Sequence, residues 1–93
     1  MTILNDSGIH RELKKLTGWI KLGDKIKKKF EFKDFIQAMG FVNSIAFLAE
    51  RANHHPDIDI RWNKVQLVLS THSEGGITQK DIALAKEIES FRK

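Results

Sequence analysis

The sequence predicts an α+β domain: a four-stranded antiparallel sheet with three helices packed on one face, in the order α-β-β-α-β-β-α. Two pairs of alternating apolar and polar runs, each joined by a short turn, predict two β-hairpins. Three runs with helical spacing precede, separate and follow these hairpins. The connections within the two hairpins are too short for parallel crossovers, which favours an antiparallel sheet. Since 93 residues support one domain, we treat residues 1–93 as a single unit.

The first helix is predicted from about residue 6 to residue 16. Polar side chains at residues 5–7 can cap its N-terminus, and Ile9, Leu13 and Leu16 recur at helical spacing. Gly18 follows as a C-terminal stop.

The first hairpin is predicted to join residues 19–22 to residues 26–32. Gly23 and Asp24 form the turn between these two strands. Phe30 and Phe32 alternate with charged residues, so we expect both to face the core.

The longest helix is predicted to start after Asp34, whose carboxylate can cap it. Pro56 disfavours helical geometry at the residue before it, so this helix must end at about Asn53 or His54. The apolar residues at helical spacing that we expect to be buried are Phe35, Ala38, Met39, Val42, Ile45, Ala46 and Ala49, and Phe41, Leu48 and Ala52 widen this stripe on one side.

The second hairpin is predicted to pair residues 57–62, a half-buried strand, with residues 65–71, and both runs alternate in polarity. Asn63 and Lys64 are the expected two-residue turn, because asparagine tolerates a positive φ. That turn would pair Trp62 with Val65 and, further along the ladder, bring His55 opposite His72.

The last helix is predicted to begin at Thr78, with Asp81 three residues later as a variant of the capping box. Leu84 lies at the margin of its apolar face. The residues expected to form its buried stripe are Ile82, Ala85, Ile88 and Phe91.

Composition excludes several classes of partner and site. The chain has no cysteine, which removes disulfides and thiolate metal ligands. No apolar run approaches the ~18 residues of a membrane span, and no secretory signal begins the sequence, so we expect a cytoplasmic protein without a membrane partner. The net charge is +4, but the lysine-rich residues 25–29 contain no interleaved aromatic that could stack on a base. We therefore expect a solvated strand there and no nucleic-acid partner.

Three imidazoles form the candidate site. His54 and His55 lie at the predicted corner between helix and strand, and His72 lies at the end of the fourth strand. Clustered histidines could transfer protons near neutral pH, bind a metal ion, or serve as satisfied structural groups, and their spacing leaves these readings open. No acidic residue is an obvious additional metal ligand. His10, on the first helix, is expected at the surface.

The chain resembles the pterin-4a-carbinolamine dehydratase family from about residue 4 to residue 91. The resemblance rests on AERANHHPDI at residues 49–58, WNKV at 62–65, LSTH at 69–72 and GGITQKDIALA at 75–85. Each segment alone is a weak signal, whereas their combination is specific.

The resemblance implies dehydration of 4a-hydroxytetrahydropterin, such as 4a-hydroxytetrahydrobiopterin, to quinonoid dihydropterin during tetrahydropterin recycling. This reaction involves no oxidation or reduction, so the resemblance implies acid–base catalysis by histidine with no cofactor and no metal. The implied catalytic residues are His54, His55 and His72. The implied contacts with the pterin substrate are these three histidines with Pro56, Thr71, Ser73 and Glu74.

The resemblance has three further implications. Glu50 can accept a hydrogen bond from an imidazole and fix its tautomer. The family forms oligomers, so we expect a homodimer or a homotetramer. The alternative function is a non-enzymatic, dehydratase-like module for assembly or for binding as a transcriptional cofactor.

Overall fold

A computed structural model describes residues 2–91 of the chain. In chain order the elements are α1 (Asp6–Leu13), β1 (Ile20–Leu22), β2 (Lys25–Glu31), α2 (Phe35–Ala52), β3 (Asp57–Arg61), β4 (Lys64–Leu69), a 3₁₀ turn (His72–Glu74) and α3 (Gln79–Phe91). The four strands form one antiparallel sheet in the order β1-β2-β4-β3. The predicted α+β architecture is therefore confirmed.

The core lies between one face of the sheet and the helices. Phe30 is buried, as predicted, whereas Phe32 is only partly buried at the end of β2. On α3, Leu84 is buried instead of marginal and Phe91 is half exposed. The fully buried aliphatic side chains of the strands and of α3 are Ile26, Val65, Leu67, Leu69, Ile82, Leu84, Ala85 and Ile88.

Helix α1 ends at Leu13, three residues before the predicted end. The chain tightens there, because the N–H of Lys15 bonds to the carbonyl of Glu12 and the N–H of Leu16 to that of Leu13. Leu16 still enters the core. Lys86 on α3 pairs with Glu12 at 3.0 Å, and its hydrogen bond lowers the pKa of that carboxyl.

The long helix α2 ends where the sequence predicts. Asp34 Oδ1 accepts the N–H of Gln37 at 2.9 Å, and Asn53 closes the helix with φ of 51°. The buried stripe is narrower than the predicted one, since Phe35, Ala46 and Ala52 are exposed. The buried residues are Ala38, Phe41, Ile45, Leu48 and Ala49. The ring centroid of Phe41 lies 4.9 Å from those of both Phe30 and Phe32, which places this side of the stripe against the sheet.

The predicted turn of the second hairpin is wrong by one residue. Arg61 pairs with Lys64, so the turn consists of Trp62 and Asn63, and Trp62 takes the positive φ of 52°. Asn63 is buried and makes two hydrogen bonds of 2.8 Å with the backbone of Phe32: its side-chain Nδ2 donates to the Phe32 carbonyl, and its main-chain carbonyl accepts the Phe32 N–H. This anchor fixes the turn, and the expected pairing of His55 with His72 does not form.

Between residues 2 and 91 no helix combines the length and apolarity that crossing a bilayer requires.

Candidate active site

The end of α2 directs two adjacent imidazoles to different neighbours. Asn53 is in the left-handed region, and the N–H of His54 bonds to the carbonyl of Ala49 at 3.0 Å. Pro56 then leads the chain into β3. His54 reaches inward to α3, while His55 reaches back to the solvent side of α2.

His54 is held by a buried carboxylate. Its Nε2 lies 2.6 Å from Asp81 Oδ1; the His54 side chain is 11% exposed and that of Asp81 is 0% exposed. An ionised carboxylate only accepts hydrogen bonds, so His54 carries its proton on Nε2. In the neutral ring Nδ1 is then the free acceptor.

The other oxygen of Asp81 ends a chain of hydrogen bonds. Oδ2 accepts the N–H of Thr78 and the hydroxyl of Thr71, both at 2.9 Å. Because the Thr71 proton is used in this way, Thr78 Oγ1 donates to Thr71 Oγ1 at 2.8 Å. Thr78 Oγ1 in turn accepts the N–H of Lys80 at 3.2 Å. This network fixes the start of α3 relative to His54.

His55 is the more exposed member of the adjacent pair. Its Nε2 lies 2.5 Å from Glu50 Oε2, and the two side chains are 56% and 77% exposed. Solvent weakens such a pair. Glu50 therefore orients the ring of His55 while leaving it accessible from outside.

His72 comes from the loop that follows β4. The N–H of Thr71 donates a hydrogen bond of 2.9 Å to the carbonyl of Gly76 across this loop. Gly75 closes the 3₁₀ turn with φ of 76°. His72 is exposed on that turn. The loop therefore presents the third imidazole at the same end of the sheet as the other two.

The three imidazoles line one pocket of about 280 Å³. Of the other residues predicted for the site, Thr71 and Ser73 belong to its lining, whereas Pro56, Glu50 and Glu74, all among the described residues, lie outside it. The full lining consists of Asn53, His54, His55, Ser70, Thr71, His72, Ser73 and Lys80.

The described part of the chain contains no group of three or more His, Asp or Glu side chains placed to hold a metal ion. Asp81 and Glu50 each contact one imidazole, and neither carboxylate joins two of them. A metal-free site stays a prediction of the resemblance.

Asp81 and Lys80 were not predicted as part of the site. The sequence placed Asp81 only in a capping box, and its bond from the Thr78 N–H fulfils half of that motif. A signal was present, because Asp81 shares the apolar stripe of Ala85 and Ile88 at i, i+4 and i+7. A carboxylate on a buried stripe requires a partner, and His54 is that partner.

Comparisons with known proteins give a consistent assignment. The family model described as pterin 4 alpha carbinolamine dehydratase matches residues 2–91. A protein of Roseiflexus castenholzii, provisionally named pterin-4-alpha-carbinolamine dehydratase, is 54% identical over 89 residues, which are 96% of each chain. One from Thermomicrobium roseum with the same provisional name is 50% identical over 88 residues, which are 95% of each chain.

Solved structures share the fold. A crystal structure from Brucella melitensis, described as a transcriptional coactivator/pterin dehydratase, is 36% identical with a TM-score of 0.94 and covers 99% of this chain and 100% of its own. A pterin dehydratase-like protein, described as a RuBisCO assembly factor in the alpha-carboxysome, is 24% identical with a TM-score of 0.67. It covers 78% of this chain and 87% of its own, and at that identity it shows the fold alone.

Proposed function

Because this chain belongs to the pterin 4 alpha carbinolamine dehydratase family, we propose that it dehydrates 4a-hydroxytetrahydropterin to quinonoid dihydropterin. The observation that carries the proposal is the pocket in which three imidazoles converge, one of them tied to a buried carboxylate. We propose that the reaction serves tetrahydropterin recycling in the cytoplasm, with 4a-hydroxytetrahydrobiopterin as one substrate.

The chemistry needs one proton donor and one proton acceptor. The bond between C4a and the hydroxyl oxygen breaks as that oxygen is protonated, and water leaves. N5 loses its proton and a double bond forms between C4a and N5. The protein gives one proton and takes one, so the reaction causes no net uptake or release of protons, and nothing is oxidised or reduced. Histidine suits both steps near neutral pH.

The three histidines have different surroundings, which supports a division of roles. We assign proton transfer to His55 and His72, whose exposed rings can approach the substrate from two elements. His54, fixed by Asp81, orients the pterin ring, and its Nδ1 can accept a hydrogen bond from that ring. Thr71 and Ser73 complete the lining, and Glu50 sets the orientation of His55.

Turnover can be measured as the rate at which the ultraviolet absorbance of the 4a-carbinolamine disappears. We expect the wild-type protein to accelerate this loss and His55→Ala and His72→Ala each to lower the rate by about 10²- to 10⁴-fold, because each removes a proton-transfer group. Circular dichroism checks folding. His10→Ala is the matched control and keeps wild-type turnover, since His10 is outside the pocket lining.

Two results would contradict the proposed mechanism. One is unchanged turnover in both His55→Ala and His72→Ala. The other is activity that disappears on chelation and returns with zinc, since we expect treatment with a chelator to have no effect.

We also propose that the protein is a homodimer or homotetramer that associates through α2. Ile36 and Phe47 are 81% and 68% exposed, although both are large and apolar. Gly40 lies between them in the helix, and apart from its two chain neighbours and the backbone of its own helix, a Cβ built on it would meet no atom of the described residues within 4 Å. A glycine inside a helix costs about 1 kcal/mol relative to alanine. A second subunit packed closely against Gly40 would account for both features.

A second candidate function is a non-enzymatic assembly or binding module. The observation in its favour is that the Brucella melitensis structure, 36% identical, is described as both a transcriptional coactivator and a pterin dehydratase. This alternative predicts that the wild-type protein shows no turnover in the assay above, whether or not it binds a pterin. It gives no reason for a pocket in which three imidazoles converge.

A further inference from the structure

The lining of the candidate active site is cationic. Lys80 contributes a full positive charge, and the other lining residues are imidazoles, hydroxyl groups and the amide of Asn53. Among these described lining residues there is no carboxylate. The pocket therefore presents a positive charge to whatever enters it.

The ammonium group of Lys80 has no anionic partner among residues 2–91. Two glutamates lie close in sequence to residues of the lining. Glu50 pairs with His55, and Glu74 forms no ion pair with Lys80. Asp81 is fully buried, and its oxygens already accept three hydrogen bonds. The charge of Lys80 is therefore available to a ligand.

The position of Lys80 in α3 is electrostatically unfavourable without such a ligand. Lys80 is the second residue of the helix, where the backbone dipole favours negative charge and disfavours a cation. Its backbone is nevertheless fixed, because its N–H bonds to Thr78 in the network that holds Asp81 and His54. The side chain thus starts from a defined point at the rim of the pocket.

The pterin ring alone does not supply the missing charge, since tetrahydropterins are neutral in the ring near pH 7. In the reaction proposed above, the bond changes occur at C4a and N5, and C6 is bonded directly to N5. A substituent on C6 must therefore leave the imidazole cluster close to the reacting atoms and pass the rim of the pocket. Lys80 is the charged side chain of that lining.

We propose that the site prefers pterins whose C6 substituent carries an anionic group, a phosphate ester or a carboxylate, and that Lys80 is the residue that recognises it. This inference rests on the proposed function, because it takes the pterin to be the molecule bound among the histidines. Lys80 is a specificity residue in this account and takes no part in proton transfer.

Three matched ligands test the proposal: neutral 6-hydroxymethylpterin, its phosphate monoester and pterin-6-carboxylate. Their dissociation constants are measured at low salt through the fluorescence of the pterin. We expect at least one anionic ligand to bind the wild type about two- to fivefold more tightly than the neutral one, as for an ion pair at a protein surface. The preference should shrink as salt is added. The anion that shows it identifies the phosphate or the carboxylate as the preferred group.

Four variants locate the source of the preference. Lys80→Gln should bind the anionic ligands as weakly as the neutral one, while Lys80→Arg keeps the preference. Lys29→Gln removes the same charge from the outer face of the sheet and should leave the preference intact. Asn53→Asp places a negative charge in the lining at a left-handed residue that aspartate also tolerates, and it should reduce or reverse the preference.

Two outcomes would overturn the inference while leaving the proposed function standing. One is equal binding of all three ligands to the wild type. The other is an equal loss for all three ligands in Lys80→Gln, which would mean that Lys80 contacts the shared ring. If no ligand bound and the wild type also lacked dehydratase activity, the proposed function would fail, and this inference with it.

Discussion

At the scale of single residues, Asp81 determines the tautomer and the ring orientation of His54. Its carboxylate is fully buried and accepts hydrogen bonds from His54, Thr71 and the Thr78 N–H. Burying an ionised carboxylate is costly unless hydrogen bonds compensate, and here three donors do so. The same contacts fix the tautomer of His54 and the angle of its ring. Asp81 is therefore a positioning residue that acts through His54.

Asp81→Asn tests this role. The amide has one acceptor oxygen, which can keep the bonds from Thr71 and the Thr78 N–H, so its NH₂ group must face Nε2 of His54. We expect the proton of His54 to move to Nδ1 and turnover to fall at least about tenfold, because the ring then presents a donor where it presented an acceptor. The tautomer is checked by ¹⁵N NMR of the imidazole.

Asp59→Asn is the matched control for this substitution, since Asp59 is exposed on β3. It should change neither the tautomer of His54 nor the rate. Reduced turnover in Asp81→Asn with an unchanged His54 tautomer would contradict the positioning role.

At the scale of elements, α2 has two apolar faces with different uses. One packs Phe41 and Ile45 into the core of the chain, and the other exposes Ile36 and Phe47 on either side of Gly40. Ile36 and Phe47 are eleven residues apart in sequence, which places them on nearly the same side of the helix. A single helix can thus support the fold and the proposed assembly, while its C-terminal end positions His54 and His55.

Phe47→Glu tests the assembly. We expect the variant to shift from oligomer to monomer, because a charge replaces an apolar side chain whose burial contributes about 1.5–3 kcal/mol. That loss corresponds to a rise of about tenfold to a hundredfold in the dissociation constant of the oligomer. The mass is measured by light scattering after size-exclusion chromatography.

Lys29→Glu changes an exposed side chain of the sheet and serves as the control, which should keep the mass of the wild type. A wild-type protein that is monomeric throughout the concentration range would contradict association through α2.

At the scale of the whole molecule, the order and type of the elements could be predicted from the sequence, but the register between β3 and β4 could not. Alternation of polarity repeats every two residues, so it cannot separate registers that differ by two. Val65 was predicted opposite Trp62 and lies opposite Ile60, which keeps every side chain on its expected face. The deciding contact joins Asn63 to Phe32, far away in the sequence, and no local pattern contains it.

The gathering of the histidines did not depend on that register. His54 and His55 follow α2 and His72 follows β4, and these two segments meet at one end of the sheet in either pairing. The partners of the histidines were harder to predict, because the bond from His54 to Asp81 depends on how α3 packs against the end of α2. The tilt of one helix against another is a tertiary property that spacing along the chain does not contain.

The proposed function requires a pterin to bind among the imidazoles of His54, His55 and His72. The most direct measurement is the ¹⁵N–¹H spectrum of the histidine side chains during titration with 7,8-dihydropterin. We expect the signals of these three rings to shift together with one dissociation constant, while the signal of His10 on α1 stays unchanged. Shifts confined to a single ring, or equal in His10, would contradict it.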